Sequence, residues 1–207
     1  SHKYVKKFFN KIKIIDLSAD FRLDNFVIYK KYYGEKHSCP QYLNKFVYGL
    51  PEINKKKITK CNYIAVPGCY PTSILTPLIP LLKSSLIKPN NIIIDSKSGY
   101  SGAGKKFDIK NMFLDQDLNF YNYNTNEHRH MSEIYQELKK STKNKINFSF
   151  NPHILPNFRG MMSTIYCDLN KNVSRKNIIR FFEKLDKNNT FINFIDSSKK
   201  IDFFSIK

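Results

Sequence analysis

The residue best suited to do chemistry in this sequence is Cys69, a thiol at a predicted turn between a strand and a helix. The apolar run 63–66 predicts a buried strand. Pro67 and Gly68 predict the turn, and Pro71 is typical of the first turn of a helix. A thiol at a helix N-terminus faces backbone N–H groups, which lower its pKa and favour the thiolate. This position predicts a nucleophile, with a small buried core cysteine as the alternative.

Two histidines, His128 and His130, stand just before a predicted helix that contains Ser132 and Glu133. An imidazole within hydrogen-bond reach of a thiol can take its proton and return it later. One of the two is therefore a candidate acid/base, and the alternative is a capped helix end. No complete set of zinc ligands accompanies the pair, so no metal site is predicted.

Two further segments have the polar composition of ligand-binding loops. Residues 98–104 contain three glycines and two serines after a predicted strand over 91–97. Such a backbone can approach a phosphate or a ring closely, although a plain flexible loop has the same composition. The polar residues 16–22 lie at the C-terminal end of a predicted strand over 11–17. Open α/β sheets place ligands at that end of their strands. The alternative is a loop whose Ser and Asp cap the next turn.

Composition limits the class of protein. The net charge is +18, but only five of the 35 Lys and Arg residues are Arg. A surface that recognises nucleic acid specifically would favour arginine, so we predict weak, salt-sensitive binding of polyanions and no specific nucleic-acid partner.

The four cysteines show no CxxC spacing, which favours a reducing compartment. No apolar run is long enough to cross a bilayer, and a cytoplasmic protein is predicted.

Alternating strand and helix patterns predict an α/β fold that positions these residues. Helices are predicted over 2–11 and 174–187, and strands over 145–150 and 161–169. Residues 24–51 are rich in aromatic residues and are predicted to be loop-like, and 152–156 an extended turn. Pro77 and Pro80 each delete a backbone hydrogen bond, so the helix after Cys69 is expected to be kinked or shortened.

Six segments together resemble one family, the N-acetyl-γ-glutamyl-phosphate reductases, which are related to aspartate-semialdehyde and glyceraldehyde-phosphate dehydrogenases. The segments occur in the family's order and span most of the sequence. They are residues 15–23, 48–52, 67–72, 95–104, 128–134 and 152–161.

The resemblance implies a fold in two parts. Residues 1–68 would be the remnant of a Rossmann-type dinucleotide-binding domain whose first βαβ unit is absent. Residues 69–207 would be an α+β catalytic and dimerisation domain with a mixed sheet, ending before the family's last segment. It also implies a homo-oligomer, either a dimer or a tetramer.

The resemblance further implies NADPH-dependent reduction of an acyl phosphate through a thioester. Cys69 would be the nucleophile, His128 or His130 the acid/base with His128 slightly favoured, and Glu133 an orienting or substrate-contacting carboxylate. The residues implied in cofactor binding are Ser18, Ser98, Gly99, Ser101, Gly102, Ala103 and Gly104. Those implied in binding the substrate's carboxylate or phosphate are Arg22, Tyr70 and Arg159.

The sequence departs from the family pattern in three ways. Val66 stands where the family usually has Asn, Pro77 interrupts the helix behind the cysteine, and no glycine-rich start for NADP is found. We therefore expect these 207 residues by themselves to bind NADPH poorly. Two other functions compete with the reductase, namely a cofactor-independent cysteine hydrolase or acyltransferase and a basic nucleic-acid-binding module.

Overall fold

The polypeptide divides into two compact units, each with its own internal contacts. The structure, a computed structural model, describes residues 1–102, 113–114 and 117–196. The first unit takes residues 1–80 and 129–141, and the second takes 81–128 and 142–207. The predicted domain boundary after residue 68 stays a prediction.

A parallel three-stranded sheet organises the first unit. Its strands are β1 (Ile14–Asp16), β2 (Val47–Tyr48) and β3 (Tyr63–Ala65). The order is β1-β3-β2, and Ile15 pairs with Ile64 in the centre of the first pair. Because the strands are parallel, Asp16, Tyr48 and Ala65 lie at one carboxyl edge, the edge at which such sheets bind ligands. The predicted Rossmann-type α/β architecture is confirmed.

Five α-helices begin in the described part of the first unit. They are α1 (His2–Phe8), α2 (Phe26–Tyr33), α3 (Pro51–Ile58), α4 (Cys69–Lys83) and α5 (His130–Lys139). The loop-like prediction for 24–51 is wrong, because α2 and a 3₁₀ helix over Pro40–Lys45 lie there. Asn25 starts α2 by accepting the N–H groups of Val27 and Ile28, and Gly34 ends it at a φ of 76°.

Aromatic and aliphatic side chains form the core of the first unit. The buried cluster consists of Val5, Phe21, Cys39, Leu43 and Ala65, with Phe9, Ile14, Tyr42 and Phe46 packed against it. Four of these residues, Cys39, Tyr42, Leu43 and Phe46, come from the segment 24–51, for which no regular structure was predicted. Their burial stabilises the 3₁₀ helix there, which is too short to form alone.

The helix that begins at Cys69 runs through both of its prolines. Pro77 and Pro80 lie inside α4, so the helix is not shortened at either of them. Ile74, Leu75 and Leu78 are fully buried on one side of it. The burial of this apolar face offsets the backbone hydrogen bonds that the prolines delete.

A mixed four-stranded sheet organises the second unit, as predicted. The strands in this unit are β4 (Ile92–Gly99), β5 (Phe113–Leu114), β6 (Asp117–Leu118), β7 (Tyr121–Asn122), β8 (Phe148–Leu155) and β9 (Met161–Tyr166). The order is β7-β8-β4-β9, while β5 and β6 pair with each other. β4 runs parallel to β8 and antiparallel to β9. The predicted turn at 152–156 is instead largely a continuation of β8, and α6 (Arg175–Lys187) confirms the predicted helix.

We predict that the apolar face of α5 is essential for the stability of the first unit. Ile134→Ala should lower the free energy of unfolding by about 2–5 kcal/mol, since it empties a fully buried site. The neighbouring Tyr135 is about half exposed, so Tyr135→Ala should cost less than about 1 kcal/mol. Urea unfolding of both variants measures the difference, and equal losses would contradict the assigned faces.

Candidate active site

Cys69 is the first residue of α4, and only three residues separate it from the end of β3. The predicted arrangement of strand, turn and helix around the thiol is therefore confirmed. The residue is exposed, in contrast to the fully buried Cys39. The alternative of a buried core cysteine is wrong for Cys69.

The turn before Cys69 is held at Val66 by the end of β1 and the following loop. The Val66 N–H donates to the Asp16 carbonyl at 2.8 Å. The Arg22 Nε donates to the Val66 carbonyl at 2.7 Å, and its Nη2 donates to the Leu17 carbonyl at 3.1 Å. Arg22 thus binds backbone oxygens on both neighbouring strand ends and fixes them together.

Both backbone polar groups of Gly68 are hydrogen-bonded. Its N–H donates to Oε1 of Glu133 at 3.0 Å. Its carbonyl accepts the Thr72 N–H at 3.0 Å and the Thr72 hydroxyl at 2.9 Å. The backbone that leads into Cys69 is therefore fixed by hydrogen bonds to side chains as well as to the helix.

The Cys69 thiol is less acidic than predicted. The residue as a whole is exposed, yet enough protein surrounds its sulfur for desolvation to be the largest influence on its pKa. Burial raises the pKa of Cys69 and outweighs the lowering by the backbone N–H groups of Tyr70 and Cys69 and by the charge of Arg22. The predicted lowering of this pKa is wrong, and the thiol needs a base to become nucleophilic at neutral pH.

His130 packs directly against the residue that precedes the thiol. A Cβ atom added at Gly68 would lie 2.5 Å from Nε2 of His130, so the ring occupies the space that a side chain would need. The buried His130 ring also meets the Tyr70 ring edge to face, with centroids 6.1 Å apart. His130 therefore contacts the residues on both sides of Cys69.

His128 has a different environment, within the second unit. Its buried ring meets Tyr123 and Phe150 edge to face, with centroid distances of 5.4 and 5.7 Å. These contacts favour His130 over His128 as the acid/base, although the resemblance to the family slightly favoured His128. Either assignment stays a prediction.

Glu133 is almost completely buried, at 1% exposure. Its Oε1 accepts the Tyr48 hydroxyl at 2.7 Å, and its Oε2 lies 3.6 Å from Nη1 of Arg22. Burial raises the pKa of Glu133, opposed by the charge of Arg22 and by the hydrogen bonds from Tyr48 and Gly68. These contacts support the orienting role of Glu133 rather than contact with substrate.

No role was predicted for Tyr48, although it is the first residue of 48–52, one of the six segments that resemble the family. Burial raises the pKa of Tyr48, and the charge of Glu133 raises it further. The phenol therefore stays protonated and acts as a permanent hydrogen-bond donor.

The three predicted substrate-binding residues have very different exposure. The Arg22 side chain is 10% exposed and bound to backbone oxygens, and Tyr70 is fully buried. Arg159 is exposed in the second unit, with its guanidinium 5.0 Å from the centre of the Phe158 ring. Its exposure leaves Arg159 accessible to an anion, whereas the contacts of Arg22 and Tyr70 favour structural roles. Their substrate-binding roles stay predictions.

The predicted cofactor loop is partly strand. Ser98 and Gly99 belong to β4, and a Cβ at Gly99 would lie 2.7–2.9 Å from backbone atoms of residues 157–159. The second unit itself therefore requires glycine at this position, independently of any ligand. Ser101 and Gly102 follow in a helical turn, whereas Ala103 and Gly104 lie outside the described residues. The cofactor-binding role of this segment stays a prediction.

Polar side chains at the carboxyl edge of the parallel sheet bond to groups of their own loop. Asp16 accepts the Ser18 N–H at 3.2 Å and the Ser18 hydroxyl at 2.9 Å. The parallel pairing of β1 and β3 brings this loop beside the turn that carries Cys69. The Ser18 hydroxyl in turn accepts the Asp20 N–H at 3.1 Å, so these bonds are the ones expected of the alternative, a loop whose Ser and Asp cap the turn. The role of Ser18 itself stays a prediction.

Within residues 1–102, 113–114 and 117–196, no three His, Cys, Asp or Glu side chains are arranged to hold a metal ion. No helix in the same ranges has both the length and the apolar character needed to span a membrane.

Two family models match the sequence. Residues 1–61 match the NAD binding domain of semialdehyde dehydrogenases, and residues 69–207 match their dimerisation domain. The fold is also similar to the crystal structure of aspartate semialdehyde dehydrogenase II from Vibrio cholerae. That similarity has a TM-score of 0.61 at 17% identity, and covers 88% of this chain and 58% of that one.

Curated relatives carry a more specific name. The sequence is 46% identical over 184 residues to the N-acetyl-gamma-glutamyl-phosphate reductase of Clostridium botulinum (strain Alaska E43 / Type E3), covering 89% of this chain and 53% of the relative. It is 44% identical over 211 residues to the enzyme of the same name from Ehrlichia canis (strain Jake), covering 100% of this chain and 59% of the relative. The chain thus spans only a little over half the length of these relatives.

We predict that iodoacetamide labels Cys69 faster than it labels Cys39, because Cys69 is exposed and Cys39 is buried. Since the pKa of Cys69 is raised, the thiolate fraction stays small at neutral pH and the rate should rise about tenfold per pH unit. Peptide mass spectrometry measures the rate, with Cys69→Ser as the control. A rate that levels off below about pH 8 would show a lowered pKa and contradict the prediction.

Proposed function

The chain belongs to the semialdehyde dehydrogenase family, and we propose that the protein is a reductase of arginine biosynthesis. In the proposed reaction, N-acetyl-γ-glutamyl phosphate is reduced to N-acetylglutamate 5-semialdehyde and phosphate is released. The observation that carries this proposal is the 44–46% identity to reductases of that name over 89–100% of the chain. The exposed Cys69, set beside a buried histidine and a buried carboxylate, agrees with it.

The reaction begins at the Cys69 sulfur. The thiolate attacks the acyl carbon of the substrate, the bond to phosphate breaks, and a thioester remains on Cys69. Because burial raises the pKa of this thiol, a base is needed to remove its proton. His130, packed against Gly68, is the residue that the contacts favour for this role.

NADPH is the proposed cofactor, and the chemistry it supplies when bound is the hydride that reduces the thioester to the aldehyde. The match of residues 1–61 to the NAD binding domain supports it. Ser18 and the segment beginning at Ser98 are the residues proposed to contact it. Arg159, exposed in the second unit, is proposed to pair with the carboxylate or phosphate of the substrate.

The two competing functions receive no support from the comparisons. A cofactor-independent cysteine hydrolase or acyltransferase would use the same thiol, but the named relatives are reductases. The same relatives argue against a nucleic-acid-binding module. We also propose a cytoplasmic location, which agrees with four free cysteines in the structure.

We predict that the acyl phosphate supports NADPH oxidation once these 207 residues are completed at both ends with the family's remaining segments, and that Cys69→Ser then lowers its rate by at least about 10³-fold. His130→Asn should lower it by about 10²–10⁴-fold through loss of acid–base help. His128→Asn should have a smaller effect. Absorbance of NADPH follows the reaction, and mass spectrometry of the protein without NADPH detects the acyl group on Cys69.

Cys61→Ser is the matched control, because Cys61 lies in the same unit at partial exposure and outside the site. Acylation and phosphate release without NADPH oxidation would favour the hydrolase. A large loss for His128→Asn with little loss for His130→Asn would transfer the acid–base role to His128.

We propose in addition that the protein is a homo-oligomer that assembles through one face of the sheet in the second unit. The match of residues 69–207 to a dimerisation domain supports this. On that face, Ile93 pairs with Tyr166 and Lys97 pairs with Met162 across β4 and β9. Ile93, Met162 and Tyr166 are large apolar residues and are 44–59% exposed. A second copy of the chain would bury them.

We predict that Tyr166→Glu reduces the mass of the assembly to that of the 24.4 kDa chain, since it places a charge in the proposed interface. Tyr135→Glu is the control, because Tyr135 is comparably exposed on α5 in the first unit. Sedimentation equilibrium measures both masses. An unchanged oligomer for Tyr166→Glu would exclude this face as the interface.

A further inference from the structure

We propose that Tyr48 is a positioning residue for Cys69 and acts through the buried carboxylate of Glu133. The inference rests on the proposed function, because it takes Cys69 as the nucleophile. It assigns to the Tyr48 hydroxyl an effect on a thiol that it does not itself contact.

The first step is the bond between the two side chains. The Tyr48 hydroxyl donates to Oε1 of Glu133 at 2.7 Å, and the two residues are 8% and 1% exposed. The bond is short, and exclusion of water from two buried groups strengthens it. Since its pKa is raised, Tyr48 remains a donor throughout the working pH range.

The second step is that the same oxygen binds the turn. Oε1 of Glu133 also accepts the Gly68 N–H at 3.0 Å. The other oxygen, Oε2, lies 3.6 Å from Nη1 of Arg22, which is beyond hydrogen-bond distance. The position of Oε1 therefore depends on its two donors, and removing the Tyr48 hydroxyl leaves the Gly68 N–H alone on it.

The third step leads from Gly68 to the sulfur. Glu133 fixes the peptide on the N-terminal side of Gly68, and Thr72 fixes its carbonyl. The next two N–H groups, those of Cys69 and Tyr70, are the ones that bind the sulfur and favour its thiolate. A shift of Gly68 would misalign both of these donors.

Tyr48 is well placed for this role because its strand pairs with the strand that leads to Gly68. It pairs with Ala65 at the end of β3, three residues before Gly68. The adjacent Gly49 allows the close approach, since a Cβ there would lie 2.5 Å from Cγ2 of Ile64. A donor on a paired strand is located more accurately than a donor on a loop.

The test compares two phenol hydroxyls in the 207-residue protein. Tyr48→Phe should move the midpoint of the pH–rate profile for iodoacetamide at Cys69 to higher pH, and lower the neutral-pH rate by at least about fivefold. Tyr29→Phe removes the matching hydroxyl bond to a carboxylate, from Tyr29 to Asp20 at 2.8 Å in the same unit. It should leave both quantities within about twofold of the parent.

A double-mutant cycle tests the route through Glu133. Glu133→Met removes the acceptor at similar side-chain length, so Tyr48→Phe should cause no further change in that background. A full additional loss there, an equal loss from Tyr29→Phe, or an unmoved profile in Tyr48→Phe would each overturn the proposal. If Glu133→Met does not fold, the comparison of Tyr48 with Tyr29 decides the question alone.

The same preparations separate this inference from the proposed function. Failure of N-acetyl-γ-glutamyl phosphate to acylate Cys69 in the parent protein would refute the proposed function. The coupling of Tyr48 to Cys69 alkylation would still be measurable in that case. Loss of the coupling with acylation intact would refute the positioning role alone.

Discussion

The buried carboxylate of Glu133 is the group on which the arrangement around Cys69 depends. It accepts hydrogen bonds from Tyr48 and Gly68 and lies beside the charge of Arg22. A charge without such partners would be very costly in the interior. These contacts connect the end of β2, the loop after β1, α5 and the turn after β3, so the stability of the site and its geometry have a common origin.

Around that carboxylate, the thiol is subject to two opposing effects. The N-terminus of α4 directs N–H groups at the sulfur and stabilises the thiolate, whereas the surrounding protein removes water and destabilises it. Desolvation is the larger effect, so the helix alone does not activate Cys69. His130 packs closely on Gly68, the residue before the thiol, and is the base that we propose for the reaction.

Gly68 and Gly99 are both required by close packing, but for different parts of the structure. At Gly68 the missing side chain makes room for the His130 ring, and at Gly99 it makes room for the backbone of residues 157–159. The first is needed for the site and the second for the packing of the second unit. Because both residues stand in motifs that resemble those of the family, the motifs alone do not separate these roles.

The sequence by itself determined the local features. Apolar runs and turn residues predicted β1, β4, α6 and the turn at Cys69, because strand and helix signals depend on neighbouring residues. The resemblance in ordered motifs predicted the family and the mixed sheet. The caps Asn25 and Gly34 were present in the sequence too, but the aromatic-rich composition around them concealed α2. Only the tertiary structure decided which histidine packs at Gly68, that Arg22 binds backbone, and that Tyr48 reaches Glu133 across 85 residues. It also reversed the predicted direction of the Cys69 pKa, because desolvation depends on atoms that are distant in sequence and close in space.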